Sequence, residues 1–240
     1  MRRKHVEIQN NKDIMAQKKK DLAAANAEQV TEKVNKFDEF YNANKKTLWG
    51  IFCAVVVIAL LVLAWQQFIV KPKAAEAAAQ MYPAENTFAS GEYELALNGD
   101  GNVYGFAEVI KEYGSRAPKA APFYAGVCEL QLGNYEGALS YLKKYKGKDA
   151  ILAARALACQ GDALVGLQEY AKAAAVYEKA AAKADNVFAA GYLLKAGIAY
   201  EELGQAAKAH DLYKTIKDKY PQSVEGYDID KYIARIEAAL

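Results

Sequence analysis

The chain has 240 residues, 31 Lys and Arg against 29 Asp and Glu, a net charge of +2, and 53% hydrophobic residues. A balance so near neutral argues against nucleic acid as a partner, and two histidines with three cysteines leave little material for His-based catalysis or a metal centre. The hydrophobic residues are unevenly spread, and that unevenness divides the chain.

Residues 1–47 form a tail with eleven Lys/Arg against seven acids. The first twenty residues are polar and lysine-rich, a composition that does not bury a core. From Asp21 the pattern changes, and Val30, Val34, Phe37 and Tyr41 recur at helical spacing with Glu32, Lys33, Lys36 and Asp38 on the other side. This predicts an amphipathic juxtamembrane helix. Its apolar stripe would lie on the membrane surface or meet a partner's helix or groove. Plain continuation of the next helix into water is the alternative.

Residues 48–70 read LWGIFCAVVVIALLVLAWQQFIV, with no charged or strongly polar side chain from Leu48 to Trp65. Such a run, about twenty residues with its flanks, crosses a hydrocarbon core of roughly 30 Å as a helix. In lipid an isolated segment satisfies its backbone only as a helix. Trp49 and Trp65 stand near the two ends, where indole rings favour the headgroup layer. Lys33, Lys36, Lys45 and Lys46 lie on one side and only Lys71 and Lys73 on the other. The positive-inside rule then predicts a single-pass protein with its tail in the cytoplasm and its larger part outside. A cleavable signal with Ala75-Glu76-Ala77 as its site is the rival reading, but the apolar core is too long and too far from the N-terminus. Cys53 lies in this span. Cys128 and Cys159 lie beyond it and read as small core residues, although an oxidising compartment would permit a disulfide.

Residues 71–118 predict linking helices and a degenerate repeat. Pro83 is expected to bend or break the alanine-rich helix after its first turns. The NGDGN at Asn98–Asn102 has the look of a calcium loop, but Val103 and Val109 occupy the places where Gly and Glu are required. It reads as a helix end and a turn. Phe106, Ile110, Tyr113 and Pro118 suit the second helix of a degenerate unit.

From 119 to 222 the chain repeats itself. Gly126, Gly161 and Gly197 are spaced by 35 and 36 residues. Twelve residues after each stands Ala138, Ala173 or Ala209, and four further on Leu142, Tyr177 or Tyr213. The turns read Leu132–Tyr135, Leu167–Tyr170 and Leu203–Ala206, and Pro221 closes the last unit. This grammar resembles the tetratricopeptide repeat, a helix–turn–helix of about 34 residues. The small residues let two helices approach closely, and the large one is expected to fill the groove to the next unit. Residues 223–240 put Ile229, Tyr232, Ile233, Ile236 and Leu240 on one face, as a helix capping the exposed end of a solenoid would. The fold class predicted is all-α: one transmembrane helix, three tetratricopeptide repeats as an α-solenoid, and a C-terminal capping helix.

No catalytic residues are predicted. His5 lies in the tail and His210 stands alone, and no CxxC or HExxH occurs. No metal, cofactor or small-molecule substrate is expected, and the chain reads as a non-enzyme. The repeat resemblance implies which positions line the concave face. They are Ala120, Phe123, Val127, Leu130 and Gln131; Arg155, Ala158, Asp162, Val165 and Gly166; and Gly191, Leu194, Ile198, Glu201 and Glu202. Repeats that clamp a terminal carboxylate use cations here, whereas only Arg155 is basic. The candidate partner-binding residues are therefore Phe123, Val127, Leu130, Arg155, Val165, Leu194 and Ile198, suited to an amphipathic helix or an apolar segment. Filling of this groove by the chain's own flanking helix is the alternative.

Residues 28–50, EQVTEKVNKFDEFYNANKKTLWG, followed by one span and these repeats, are similar to the YfgM-type ancillary subunit family of the bacterial SecYEG translocon. The resemblance implies a bacterial inner-membrane protein with periplasmic repeats, contacting the translocon, periplasmic chaperones and exported client chains. The function expected is a membrane-anchored binding module, accessory or chaperone-like, in protein export. The alternatives are a scaffold or assembly factor for an envelope or division complex, and an import receptor with cytosolic repeats.

Overall fold

The structure is a computed structural model and describes residues 40–238. Val30, Val34 and Phe37 lie outside the described residues. Among the described residues all regular structure is helical, apart from one isolated bridge between Gly99 and Tyr104. The chain divides into two units at Gln66 and Gln67.

The first unit contains α1, residues 40–65. Helical structure runs on through Phe40–Ala89, a stretch long and apolar enough to cross a membrane, and none of its apolar window is buried within the chain. Residues 51–65 are all exposed. A π-helical turn, Gln66–Val70, follows where the apolar run ends. Lys71 donates to the Gln67 Oε1 at 2.8 Å.

The second unit opens with α2 (Lys71–Ala89), whose Ala77, Met81 and Ala84 are buried. Pro83 lies inside this helix and does not end it. The ring removes one backbone donor and normally breaks a helix interior. Here Met81 and Ala84 on either side of it are held in a core with Leu97, Phe106 and Val109, and that burial outweighs the lost hydrogen bond. Then come α3 (Tyr93–Asn98) and α4 (Phe106–Tyr113). The turn between them is built as its glycines suggest: Gly99 and Gly101 have φ of 74° and 87°. Asp100 Oδ1 accepts from the backbone N–H groups of Asn102 and Val103, both at 2.8 Å.

Three helical hairpins follow: α5 (Ala121–Gln131) with α6 (Tyr135–Leu142), α7 (Ala150–Gly166) with α8 (Tyr170–Ala184), and α9 (Val187–Glu202) with α10 (Ala206–Lys219). Each helix packs mainly on its neighbours in sequence. The spacing of small and large residues has a direct structural cause. A Cβ at Gly126 would lie 2.6 Å from Leu142 Cγ, and one at Gly161 would lie 2.5 Å from Tyr177 Cε1. One at Gly197 would collide with the Tyr213 ring. The large residue thus lies on the glycine of its own hairpin rather than only in the groove to the next. The residue that reaches the next hairpin is Tyr135, whose ring lies against Gly166.

Side chains cap the helix starts. Asn134, Asp149, Asn186 and Ser223 accept from backbone N–H groups of the first turns of α6, α7, α9 and the last helix, α11 (Val224–Glu237), each cap being worth about 1 kcal/mol. The turns within the hairpins use left-handed residues, Gly133 at φ 79° and Gly204 at φ 66°, but Gln168 at φ 60° in the second. Helix α11 (Val224–Glu237) buries Ile229, Ile233 and Ile236 against Leu193, Tyr213 and Ile216. It is fastened by Arg235, whose guanidinium donates to both oxygens of Glu201 at 2.7 and 2.8 Å.

Replacing Ile233 with Asp should place a charge among apolar side chains and cost about 3–5 kcal/mol. Circular dichroism of the variant should show early melting of the C-terminal end, and an unchanged melting temperature would show that α11 does not cap the stack. Gln168→Gly should act in the opposite direction. It relieves a left-handed backbone at the price of a looser unfolded chain, for a net gain of roughly 0.5 kcal/mol. A lower urea midpoint for that variant would contradict the strain.

Candidate functional site

The first helices of the hairpins form one side of the stack, with α5 touching α7 and α9 touching α11. On this side lies a groove of about 620 Å³. Helix α5 contributes Phe123, Tyr124, Val127, Leu130 and Gln131; α7 contributes Ile151, Leu152, Arg155, Ala158, Cys159 and Asp162. Phe188, Tyr192 and Lys195 come from α9. The flanking helix α2 supplies Phe88 as part of the wall, and the groove volume remains beside it.

The local sequence explains the groove's apolar character. Ile151 and Phe188 each stand two residues after an N-cap, Asp149 and Asn186, in the first turn of their helices. Neither side chain belongs to the buried clusters of the hairpins. Ile151 is accordingly 50% exposed and Phe188 54%. Phe123 differs: it is 5% exposed and packed with Ala138, Leu142 and Ala156, so little of it is open to the groove. Phe123 and Tyr124 meet edge to face at 5.5 Å, and Tyr124 stacks on Phe106 at 5.3 Å, so the aromatic wall is continuous with the core beneath it.

The polar side of the groove is organised around Asp162. Its Oδ1 accepts from the Tyr177 hydroxyl at 2.6 Å and from Lys195 Nζ at 2.7 Å. Burial, together with the hydrogen bond to Asp162, pushes the Tyr177 phenol well above its ordinary value. Among the described residues Arg155 makes no ion pair, and it is exposed. Burial pushes the Cys159 thiol up to about 11 and the Cys128 thiol up to about 12, so both stay protonated and poorly nucleophilic at neutral pH. Both are free thiols. Among the described residues no cluster of His, Cys, Asp or Glu is arranged to hold a metal.

The residues singled out from sequence do not all meet. Phe123, Val127, Leu130 and Arg155 line the groove. Val165 and Ile198 line a second hollow of about 280 Å³, with Tyr170 and Glu202. Asp162 and Lys195 border both hollows. Leu194 is half-buried and packs toward the core formed with α10 and α11. In the other unit Tyr41 lies beside Leu48, Trp49 and Phe52 on an open apolar face. Sequence reasoning missed Phe88, Ile151, Phe188, Tyr192 and Lys195. A signal for two of them exists: Asp149, Asn186 and Ser223 recur at 37-residue spacing, and a large apolar residue two places past such a cap is left outside the stack.

The tetratricopeptide repeat family model matches residues 192–223, which are most of α9, all of α10 and the turn into α11. No curated protein matches the chain. The matched stretch and the stacked helical hairpins support a tetratricopeptide solenoid, a module for protein–protein interaction.

Proposed function

We propose that the chain is a membrane-anchored tetratricopeptide protein that holds apolar segments of other proteins, as an accessory or chaperone-like factor in protein export at a bacterial inner membrane. The observation that carries this reading is the groove between α5, α7 and α9. Its largest exposed apolar side chains, Ile151 and Phe188, lie on it with no covering segment among the described residues. A concave apolar surface of this kind suits a helix or an extended apolar stretch. Asp162 is committed to Tyr177 and Lys195, and the groove's polar groups are not arranged about a reacting centre, which favours binding over catalysis.

In this reading residues 48–70 anchor the chain, residues 1–47 face the cytoplasm and the three repeats with their cap lie in the periplasm. Tethering raises the local concentration of segments emerging at the membrane to the order of millimolar without any new contact. The stripe Val30, Val34, Phe37 and Tyr41 would meet the membrane or a translocon helix. The partners proposed are the SecYEG translocon, periplasmic chaperones and exported client chains.

Photo-reactive residues at Tyr41 and Ile151 in native membranes test this, with the adducts identified by mass spectrometry. Ile151 suits the purpose because half its surface is free. Translocon subunits at Tyr41 and a varied set of exported chains at Ile151 are expected. A single envelope protein recurring at both positions would replace the export reading with a scaffold. Protease digestion of the repeats from the cytoplasmic face would reverse the topology and favour an import receptor.

A further inference from the structure

The loop between α6 and α7 reads Lys143-Lys144-Tyr145-Lys146-Gly147-Lys148-Asp149, four cations in six positions before its one acid. All four lysines are exposed, and among the described residues none of them is ion-paired. Asp149 is occupied as a cap, accepting from the Leu152 N–H at 2.6 Å. Other lysines of the same unit do have carboxylate partners, for example Lys172 with Glu169, Lys217 with Asp230 and Lys231 with Asp228. Lys144 Nζ lies 5.2 Å from the centre of the Tyr141 ring, but among the described residues no carboxylate pairs with any of the four, so the loop concentrates positive charge.

This charge is fixed to the wall of the groove. Tyr145 is half-buried, its ring 6.2 Å from that of Phe123 and inclined at 64°, and it packs in the cluster that contains Leu142 and Leu152. Gly147 makes that fold of the loop possible, because a Cβ there would collide with the Tyr145 ring. The lysines thus flank in sequence an anchored ring that packs on Phe123, and Lys148 stands three residues before Ile151 of the groove wall. The unpaired Arg155 follows on α7, on the same groove.

We propose that Lys143, Lys144, Lys146 and Lys148, together with Arg155, form a docking strip for an acidic stretch of the polypeptide whose apolar side chains enter the groove. The inference rests on the reading that this groove binds a partner segment, and it adds the partner's chemistry: apolar anchors followed by several Asp or Glu. Charge complementarity selects the acid. The apolar groove beside the strip selects a polypeptide, since a nucleic acid or inorganic phosphate would leave Ile151 and Phe188 uncovered.

The test uses the full chain in neutral phosphatidylcholine nanodiscs and two fluorescent helix-length peptides. Both carry the same Leu and Phe positions, one with Glu and the other with Lys on its polar face. At low salt the acidic peptide should bind roughly tenfold more tightly, the combined effect of several exposed ion pairs of modest individual strength. High salt should erase the preference, as should the K143E/K144E/K146E/K148E variant, while Ile151→Asp with Phe188→Asp should abolish binding of both peptides. Equal affinities at low salt, still abolished by the double Asp variant, would overturn the strip and leave the groove reading standing. Binding of neither peptide would remove both. Loss of the preference when phosphatidylglycerol is added to the nanodiscs, with the loop lysines crosslinking to lipid, would assign the strip to headgroups and overturn the proposal.

Discussion

A large side chain lying on the bare Cα of a glycine sets the geometry of every hairpin in this solenoid. Leu142 lies on Gly126, Tyr177 on Gly161 and Tyr213 on Gly197. An alanine at each glycine would have to displace side chains that are at most 2% exposed, and such overpacking costs about 1–3 kcal/mol. The second helix contributes a fully buried alanine at each repeat, Ala138, Ala173 and Ala209. Close approach of the two helices makes the interior of each hairpin thin and alanine-rich. A single hairpin then buries too little apolar surface to stand alone, so stability depends on stacking and on a cap at the end.

The same contact takes different polar partners in successive repeats. In the second hairpin the Tyr177 hydroxyl reaches Asp162, which also holds Lys195 of the next hairpin. In the third, the Tyr213 hydroxyl reaches Glu201, and Glu201 in turn receives the paired hydrogen bonds of Arg235 from α11. One arrangement stiffens the floor of the groove and the other fastens the cap. Both tie a tyrosine that defines a hairpin to a carboxylate that links it to its neighbour. The repeat spacing and the assembly of the stack therefore rest on the same side chains.

Much of this was legible in the chain because close helix packing has few solutions. The glycine, alanine and large-residue series at fixed intervals names the hairpins, and the isoleucine face of α11 names the cap. Pro83 was misleading because the rule against proline in a helix ignores what the flanking turns bury. The groove was only half legible. Inward positions carried over from a regular repeat identify Phe123, Val127 and Arg155, but the third repeat ends against α11, whose core draws in Leu194. Phe88 enters from α2, outside the three hairpins, and Ile151 and Phe188 depend on where each helix starts. The lysine loop went unnoticed because repeat grammar gives no meaning to the residues between hairpins, although four lysines in six positions are plain in the sequence.

The caps explain why exposed apolar side chains persist at the groove. Asp149 and Asn186 satisfy N–H groups of the first turns of α7 and α9, so Ile151 and Phe188 are displayed on well-formed helix rather than on fraying ends. Complete burial of such a side chain is worth about 1.5–3 kcal/mol. About half of each is already covered, so the apolar gain remaining for a bound segment is of the order of 1 kcal/mol per side chain. That is small beside the 4 kcal/mol or more that association costs in lost motion. Apolar contact at these two residues would therefore hold a segment only weakly and would hardly distinguish one sequence from another. The discrimination has to come from the fixed polar groups around the groove, and Asp162 is already bound to Tyr177 and Lys195. What would remain to select a partner is the positive charge without a carboxylate partner, on Arg155 in the groove and on the lysine loop before α7.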